Sequence, residues 1–164
     1  MERIRSFTVD HDKLTPGIYV SRVDGDVVTY DLRMRTPNSA DYMSDLALHS
    51  LEHMLATYMR SGYAGDRVIY VGPMGCRTGF YLLMRGTVAD NEKNFDALID
   101  ALDKIAAHTG AMPGAHRREC GNYRCLSVAA AKAEAIRYAD LLKKQKKAGK
   151  ITFSYDGETL AGGI

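Results

Sequence analysis

Apolar and polar side chains alternate from Val28 to Arg35 within the segment DVVTYDLRMR, residues 26–35. This period of two places every second side chain on the same face of an extended chain and predicts a strand. One face would be apolar and the other polar, so we expect the strand to be half buried. The apolar face carries Val28, Tyr30, Leu32 and Met34, and the polar face carries Thr29, Asp31, Arg33 and Arg35.

Three longer segments follow the helical period instead. Residues 44–62 predict a helix with Ser44 as its N-cap and Gly62 as its stop. Residues 91–110 carry an apolar stripe on one side and predict a second helix that ends at Gly110. Residues 127–147 predict a third helix, which Ser127 caps.

Short apolar runs at 67–71 and 78–88 predict two more strands, joined by the turn-rich segment GPMGCR. Residues 111–125 are expected to be irregular, and ITFSY at 151–155 to form a short strand. Strands and helices do not follow a strict βαβ order, which favours an α+β fold with helices packed on a small antiparallel sheet. No repeat or linker interrupts the chain, so we expect a single domain over residues 1–164.

The composition is that of an ordinary globular protein, with 46% hydrophobic and 26% charged residues among 164. A net charge of +2 gives no indication of a nucleic-acid or anionic-membrane partner. No apolar run is long enough to span a bilayer, and the first residues lack an apolar signal core, so we expect a cytoplasmic protein. Three cysteines are too few for a disulfide framework.

The first predicted helix contains LHSLEHML, residues 48–55. His49, Glu52 and His53 fall on one side of this helix, because residues three and four apart share a face. The apolar face is complete without them, so they could be an ordinary solvated face. Histidines at i and i+4 are also the spacing of helical zinc sites, so a metal site is the alternative.

Two histidines need a third ligand to form a catalytic metal site. Cys120 lies in the irregular segment RRECGNY, where a thiolate could be directed at a metal, while Cys125 resembles a small buried hydrophobe. Cys76 lies in a turn next to Arg77, which would favour its thiolate form. The other possible ligands are Glu119, His11, His108 and His116. With Glu119 as the third ligand, H-x-x-E-H would indicate a zinc peptidase with Glu52 as its base.

Several segments taken together resemble one family. They are SFTVDHDKL, YDLRMRTPN, HSLEHMLATYMR, GPMGCRTGFYL and ECGNY, in this order over most of residues 6–125. This ordered set resembles the S-ribosylhomocysteine lyases of the LuxS family. The helix motif of that family usually reads H-T-x-E-H, and Ser50 replaces its threonine here.

The resemblance implies a small α+β homodimer with active sites at the subunit interface, which cleaves S-ribosylhomocysteine to homocysteine and the autoinducer-2 precursor 4,5-dihydroxy-2,3-pentanedione. It implies one divalent metal per subunit, natively Fe(II), which Zn(II) or Co(II) can replace. The implied metal ligands are His49, His53 and Cys120, the implied acid–base pair is Cys76 and Glu52, and the implied substrate contacts are Ser6, His11 and Arg33.

The chain departs from the family pattern before PMGC, where an acidic residue and a serine are common and Tyr70 and Gly72 stand instead. The lysine-rich stretch 143–164 has no part in the motif set. Two functions other than a lyase stay open from the residues alone. One is the zinc peptidase, and the other is a metal-binding or regulatory domain without catalysis.

Overall fold

The structure, a computed structural model, describes residues 9–155. Within these residues, four strands and three α-helices follow one another along the chain. They are β1 (Gly17–Asp24), β2 (Val27–Arg33), α1 (Asp45–Ser61), β3 (Val68–Pro73), β4 (Gly79–Arg85), α2 (Asn91–Ala107) and α3 (Val128–Lys147). The strands pair in the order β1-β2-β4-β3, and every pair is antiparallel. The predicted α+β class is therefore confirmed.

The core lies between one face of this sheet and the helices. Val28, Tyr30 and Leu32 of β2 are fully buried, as their alternation predicts. They are paired in register with Met84, Leu82 and Phe80 of β4. Burying each large apolar side chain contributes about 1.5–3 kcal/mol. Helix α1 packs against α2, α3 and β3, so this helix crosses the centre of the core.

The helix caps were predicted correctly at three of the helix ends. Ser44 accepts a hydrogen bond from the Ala47 amide, and Ser127 accepts one from the Ala130 amide. Helix α1 ends at Gly62 as expected. Helix α2 ends at Ala107 rather than at Gly110, because the His108 backbone already leaves the helical region. The His108 ring lies against α1, where its Nδ1 is 2.8 Å from the Tyr58 hydroxyl.

The charged residues on the polar face of the predicted strand are buried and only Thr29 is half buried, so the prediction of a half-buried strand is wrong. Asp31 is 1% exposed, and Arg33 and Arg35 are each 3% exposed. The charges on this face are paired with each other or with distant residues. Arg33 forms an ion pair with Asp31, and Arg35 forms one with Glu134 of α3. These pairs offset much of the cost of burying charge.

Two predictions about the outer parts of the sheet need correction. Strand β1 was not predicted at all, although Ile18 and Val20 are buried in it and a two-residue turn with Gly25 at φ +58° joins it to β2. The expected strand at 151–155 is only a single bridge between Phe153 and Tyr19.

Between residues 9 and 155, none of the helices has both the length and the hydrophobicity needed to cross a bilayer.

Candidate metal centre

Helix α1 and the irregular segment before α3 bring three possible metal ligands together. His49 and His53 are one helical turn apart, and their ring centroids are 4.8 Å from each other. The Cys120 Sγ atom lies 3.3 Å from His49 Nε2. One ligand atom from each of these residues lies within 4.8 Å of the others. The bond lengths and tetrahedral angles of a zinc site would separate a thiolate and an imidazole nitrogen by about 3.5 Å, so the group could hold a metal ion.

Backbone carbonyls orient both histidine rings. His49 Nδ1 is 2.8 Å from the Cys125 carbonyl oxygen, and His53 Nδ1 is 2.8 Å from the Pro113 carbonyl oxygen. A carbonyl only accepts, so each Nδ1 carries the proton and donates. Each Nε2 then keeps its lone pair free for a metal. Metal-bound histidines are commonly held by such a second hydrogen bond.

Gly114 allows residues 113–125 to lie against His53. Its φ is +67°, a conformation that side chains disfavour, and a Cβ atom here would lie 2.9 Å from His53 Nδ1. Cys120 is held by its own turn, in which the Asn122 amide donates to Sγ across 3.3 Å. His49, Glu52 and His53 are each half buried rather than fully exposed.

Ser50 connects α1 to the start of α3 from within the motif. It is fully buried, and its hydroxyl donates to the Leu46 carbonyl and accepts from the Ser127 amide across 2.8 Å. Ser127 in turn caps α3. The residue that replaces the usual threonine thus fixes the helix carrying the histidines relative to the helix that follows Cys120.

Glu52 lines a pocket of about 360 Å³ beside His53. Tyr70, one of the two departures from the family pattern, lies on the wall of the same pocket, as does Glu119. Across residues 9–155, the Glu52 carboxylate has neither a hydrogen bond nor an ion pair, so both of its oxygens are available to a bound molecule. Glu119 is not one of the three clustered ligands, which is contrary to the zinc-peptidase arrangement.

Cys76 lies at the exposed turn between β3 and β4. Its Sγ atom is 3.0 Å from the Thr78 hydroxyl oxygen. It lines a pocket of about 290 Å³ together with His11, Pro37, Asn38 and Tyr42. The next residue, Arg77, has φ +59° and its guanidinium is 3.5 Å from Asp45. His11 and Cys76, two of the predicted site residues, are thus brought together.

Arg33 lies behind this turn rather than on the surface. Its Nε and Nη2 donate to the two carboxylate oxygens of Asp31, and its Nη1 donates to the Thr78 hydroxyl oxygen across 2.6 Å. Burial would lower the pKa of the Arg33 guanidinium, but Asp31 and, less strongly, Cys76 raise it overall. Substrate could reach only the N–H groups that these contacts leave. Ser6, the remaining predicted substrate contact, lies outside the described residues.

Sequence reasoning missed the groups that orient the site. The carbonyls of Pro113 and Cys125 leave no side-chain signal, although the Pro-Gly pair at 113–114 indicates a turn close to a packed surface. Thr78 was missed because it is an ordinary strand residue by type. Its position in the same turn, two residues after Cys76, was the available signal, because a turn keeps residues that are close in sequence close in space.

Comparison with known proteins agrees with this geometry. The sequence model of the family described as S-Ribosylhomocysteinase (LuxS) matches residues 4–149. A protein of Clostridium acetobutylicum named S-ribosylhomocysteine lyase is 43% identical over 147 residues, which cover 87% of this chain and 92% of that protein.

Two further proteins with the same name are similar. That of Desulfotalea psychrophila is 44% identical over 84% of this chain and 89% of its own length. That of Finegoldia magna is 39% identical over 92% of this chain and 98% of its own length. Identity of this extent over nearly the whole length places the chain among them: it belongs to the S-ribosylhomocysteinase (LuxS) family.

Proposed function

We propose that this protein is a metal-dependent carbon–sulfur lyase that cleaves S-ribosylhomocysteine to homocysteine and 4,5-dihydroxy-2,3-pentanedione. The observation that carries the proposal is the cluster of His49, His53 and Cys120 beside an unpaired Glu52. The relatives are named for this activity. One lyase-like domain would extend over residues 1–164.

The donor set suits a divalent metal. Two neutral imidazoles and one thiolate would leave a net charge of +1 on a site with Fe(II), which we propose as the native metal, or with Zn(II) or Co(II) in its place. Three protein ligands leave a position open for a substrate oxygen. When bound, the metal would supply Lewis acidity to a carbonyl oxygen of the open-chain sugar.

The chemistry then requires residues that carry protons. A carbon–sulfur bond in a sugar chain breaks by β-elimination once a carbonyl stands at the correct carbon. Moving the carbonyl requires a proton to leave one carbon and another to arrive on its neighbour. In the elimination, a base takes the proton next to the carbonyl, a carbon–carbon double bond forms, and the bonding electrons of the C–S bond leave with sulfur. We assign these transfers to Glu52 and Cys76.

The proposed substrate contacts are Ser6, His11 and Arg33, and the proposed assembly is a homodimer with active sites at the interface and contacts from both chains. Support for an assembly comes from the separate positions of the groups within one chain. Glu52 and His53 line one pocket, and Cys76 and His11 line another. Exposed Ile69 and Tyr70 provide apolar surface beside the Glu52 pocket.

A cytoplasmic location agrees with the free thiols of the three cysteines.

The test is to incubate metal-loaded protein with S-ribosylhomocysteine and to titrate the released homocysteine thiol with a chromogenic disulfide. We expect thiol well in excess of the three cysteines of the chain. Protein stripped of metal is the control. No thiol above that background would exclude the lyase. Hydrolysis of peptides that is lost in Glu119→Gln would instead indicate the peptidase, and bound metal without either activity would indicate a binding module.

A further inference from the structure

A continuous series of hydrogen bonds leads from the C-terminal segment to the Cys76 thiol. The Tyr155 hydroxyl donates to Asp31 Oδ2 across 2.9 Å. Asp31 receives two hydrogen bonds from Arg33, whose Nη1 donates to Thr78 Oγ1 across 2.6 Å. Thr78 Oγ1 lies 3.0 Å from Cys76 Sγ. All members except Tyr155 and Cys76 are at least 97% buried.

The direction of these hydrogen bonds follows from the chemistry of arginine. A guanidinium only donates, so one lone pair of the Thr78 oxygen is taken by Arg33. The same contact polarises the hydroxyl, which becomes a better donor and a poorer acceptor. The Thr78 hydroxyl is therefore placed to donate its proton to Cys76 Sγ rather than to accept one from it.

We propose that Thr78 is a positioning residue whose hydroxyl orients Cys76 and donates a hydrogen bond to its thiolate. Arg33 fixes the direction of that donation, and Asp31 and Tyr155 hold Arg33. The backbone of Thr78 is anchored independently, because its carbonyl accepts from the Met34 and Arg35 amides across 2.9 Å each. The side chain can thus be changed without removing the anchors of the turn. The inference rests on the proposed role of Cys76 as a proton carrier.

Other groups around Cys76 also influence its charge. Arg77 is the neighbouring cation, and Asp45 pairs with it. His11 and Tyr42 share the Cys76 pocket, and Tyr81 is electrostatically coupled to Cys76. The test must therefore compare variants that leave these groups in place and differ only in the hydroxyl.

The experiment measures the rate of Cys76 alkylation by iodoacetamide from pH 5 to 10, in metal-loaded protein. Peptide mapping separates Cys76 from Cys120 and Cys125, and Cys76→Ser gives the blank. Thr78→Val keeps the shape of the side chain and loses the hydroxyl. In this variant we expect the midpoint of the curve of alkylation rate against pH to rise by about one pH unit. Below the midpoint this is a roughly tenfold slower reaction. Thr78→Ser keeps the hydroxyl, and its midpoint should remain at the wild-type value.

Equal midpoints in wild type and Thr78→Val would overturn the proposal, as would equal shifts in the Ser and Val variants. The Ser–Val difference should survive in a His11→Asn background, and its loss there would assign the effect to His11. The visible bands of bound Co(II) report folding, since Cys76 is not a ligand. If Thr78→Val does not fold, Thr78→Ala provides the same comparison with Ser. Alkylation does not depend on turnover, so a wild type that releases no homocysteine would refute the lyase alone.

Discussion

The His49–His53–Cys120 cluster and the Cys76 turn are oriented by different kinds of contact. Backbone carbonyls of Pro113 and Cys125 hold the histidine rings. Side chains hold Cys76, in the order Thr78, Arg33 and Asp31. A main-chain carbonyl is present whatever the side chain at its position, so the orientation of the histidine rings depends on the path of residues 113–125. The orientation of Cys76 depends instead on the identity of each supporting side chain.

This difference suits the two proposed tasks. A metal site has to keep its ligand geometry fixed, and carbonyls on a packed segment orient rings without carrying charge. A proton carrier has to exist in two protonation states, and a series of charged and hydroxyl groups stabilises one state relative to the other. Substitutions should therefore affect metal content in one region and turnover with metal bound in the other.

The largest effect is expected from Cys120→Ala. Removal of one of three protein ligands should lower metal affinity by more than 100-fold and abolish thiol release with it. Metal content after dialysis and the thiol assay measure both losses. Cys125→Ala is the matched control, because the hydrogen bond from His49 goes to the Cys125 backbone carbonyl, which alanine retains. A Cys120→Ala protein with one tightly bound metal would show that Cys120 is not a ligand.

Cys76→Ala should separate the two regions. We expect thiol release to fall by about 10²–10⁴-fold, the usual contribution of a general acid or base, while metal content stays unchanged. The thiol assay and metal analysis on one preparation decide this. Loss of metal in this variant would mean that the two regions are not independent, and unchanged turnover would remove Cys76 from the mechanism.

The elements that carry the His49–His53–Cys120 cluster were largely predictable from the sequence. Ser44 and Gly62 mark the ends of α1, and the spacing of His49 and His53 places both rings on one face whatever surrounds the helix. The identity of the third ligand was not decided by spacing. Cys120 comes to the histidines through an irregular segment, whose path depends on tertiary contacts such as Gly114 against His53.

The surroundings of Cys76 were much less predictable. The alternation in β2 separated apolar from polar residues correctly but indicated a solvated polar face. That face is buried because Asp31 pairs with Arg33 and because Tyr155, more than 120 residues away in sequence, donates a hydrogen bond to Asp31. Strand β1 was missed for a related reason. Its sequence GIYVSRVD buries only Ile18 and Val20 besides its first glycine, too few positions for a clear alternating pattern.

Gly114→Ala tests whether the path of residues 113–125 orients the metal ligands. A Cβ atom would press on His53 at the nitrogen that donates to Pro113, so metal affinity should fall by about 10–100-fold. Competition with a chromogenic chelator measures it. Gly149→Ala is the matched control, with φ +66° but no atom within 4 Å of the added Cβ. Equal affinities in the two variants would show that the carbonyl contact does not matter for binding.

Tyr155→Phe should produce the smallest effect. It tests the Tyr155 end of the hydrogen-bond series that leads to Cys76. The lost hydrogen bond to Asp31 should lower the free energy of unfolding by about 1–2 kcal/mol near neutral pH, with metal affinity unchanged. Burial and the Asp31 charge raise the pKa of Tyr155 above its usual value of 10.0.

A raised folded-state pKa gives stability that is complete below the unfolded value and is lost above it. The difference between wild type and Tyr155→Phe should therefore be constant from pH 7 to 9 and shrink above pH 10. Urea unfolding at each pH measures it, and Tyr70→Phe, which alters an exposed hydroxyl, is the control. A difference that stays constant through pH 11 would mean that Tyr155 ionises equally in both states, and the stabilisation would then not come from a hydrogen bond of its neutral hydroxyl to Asp31.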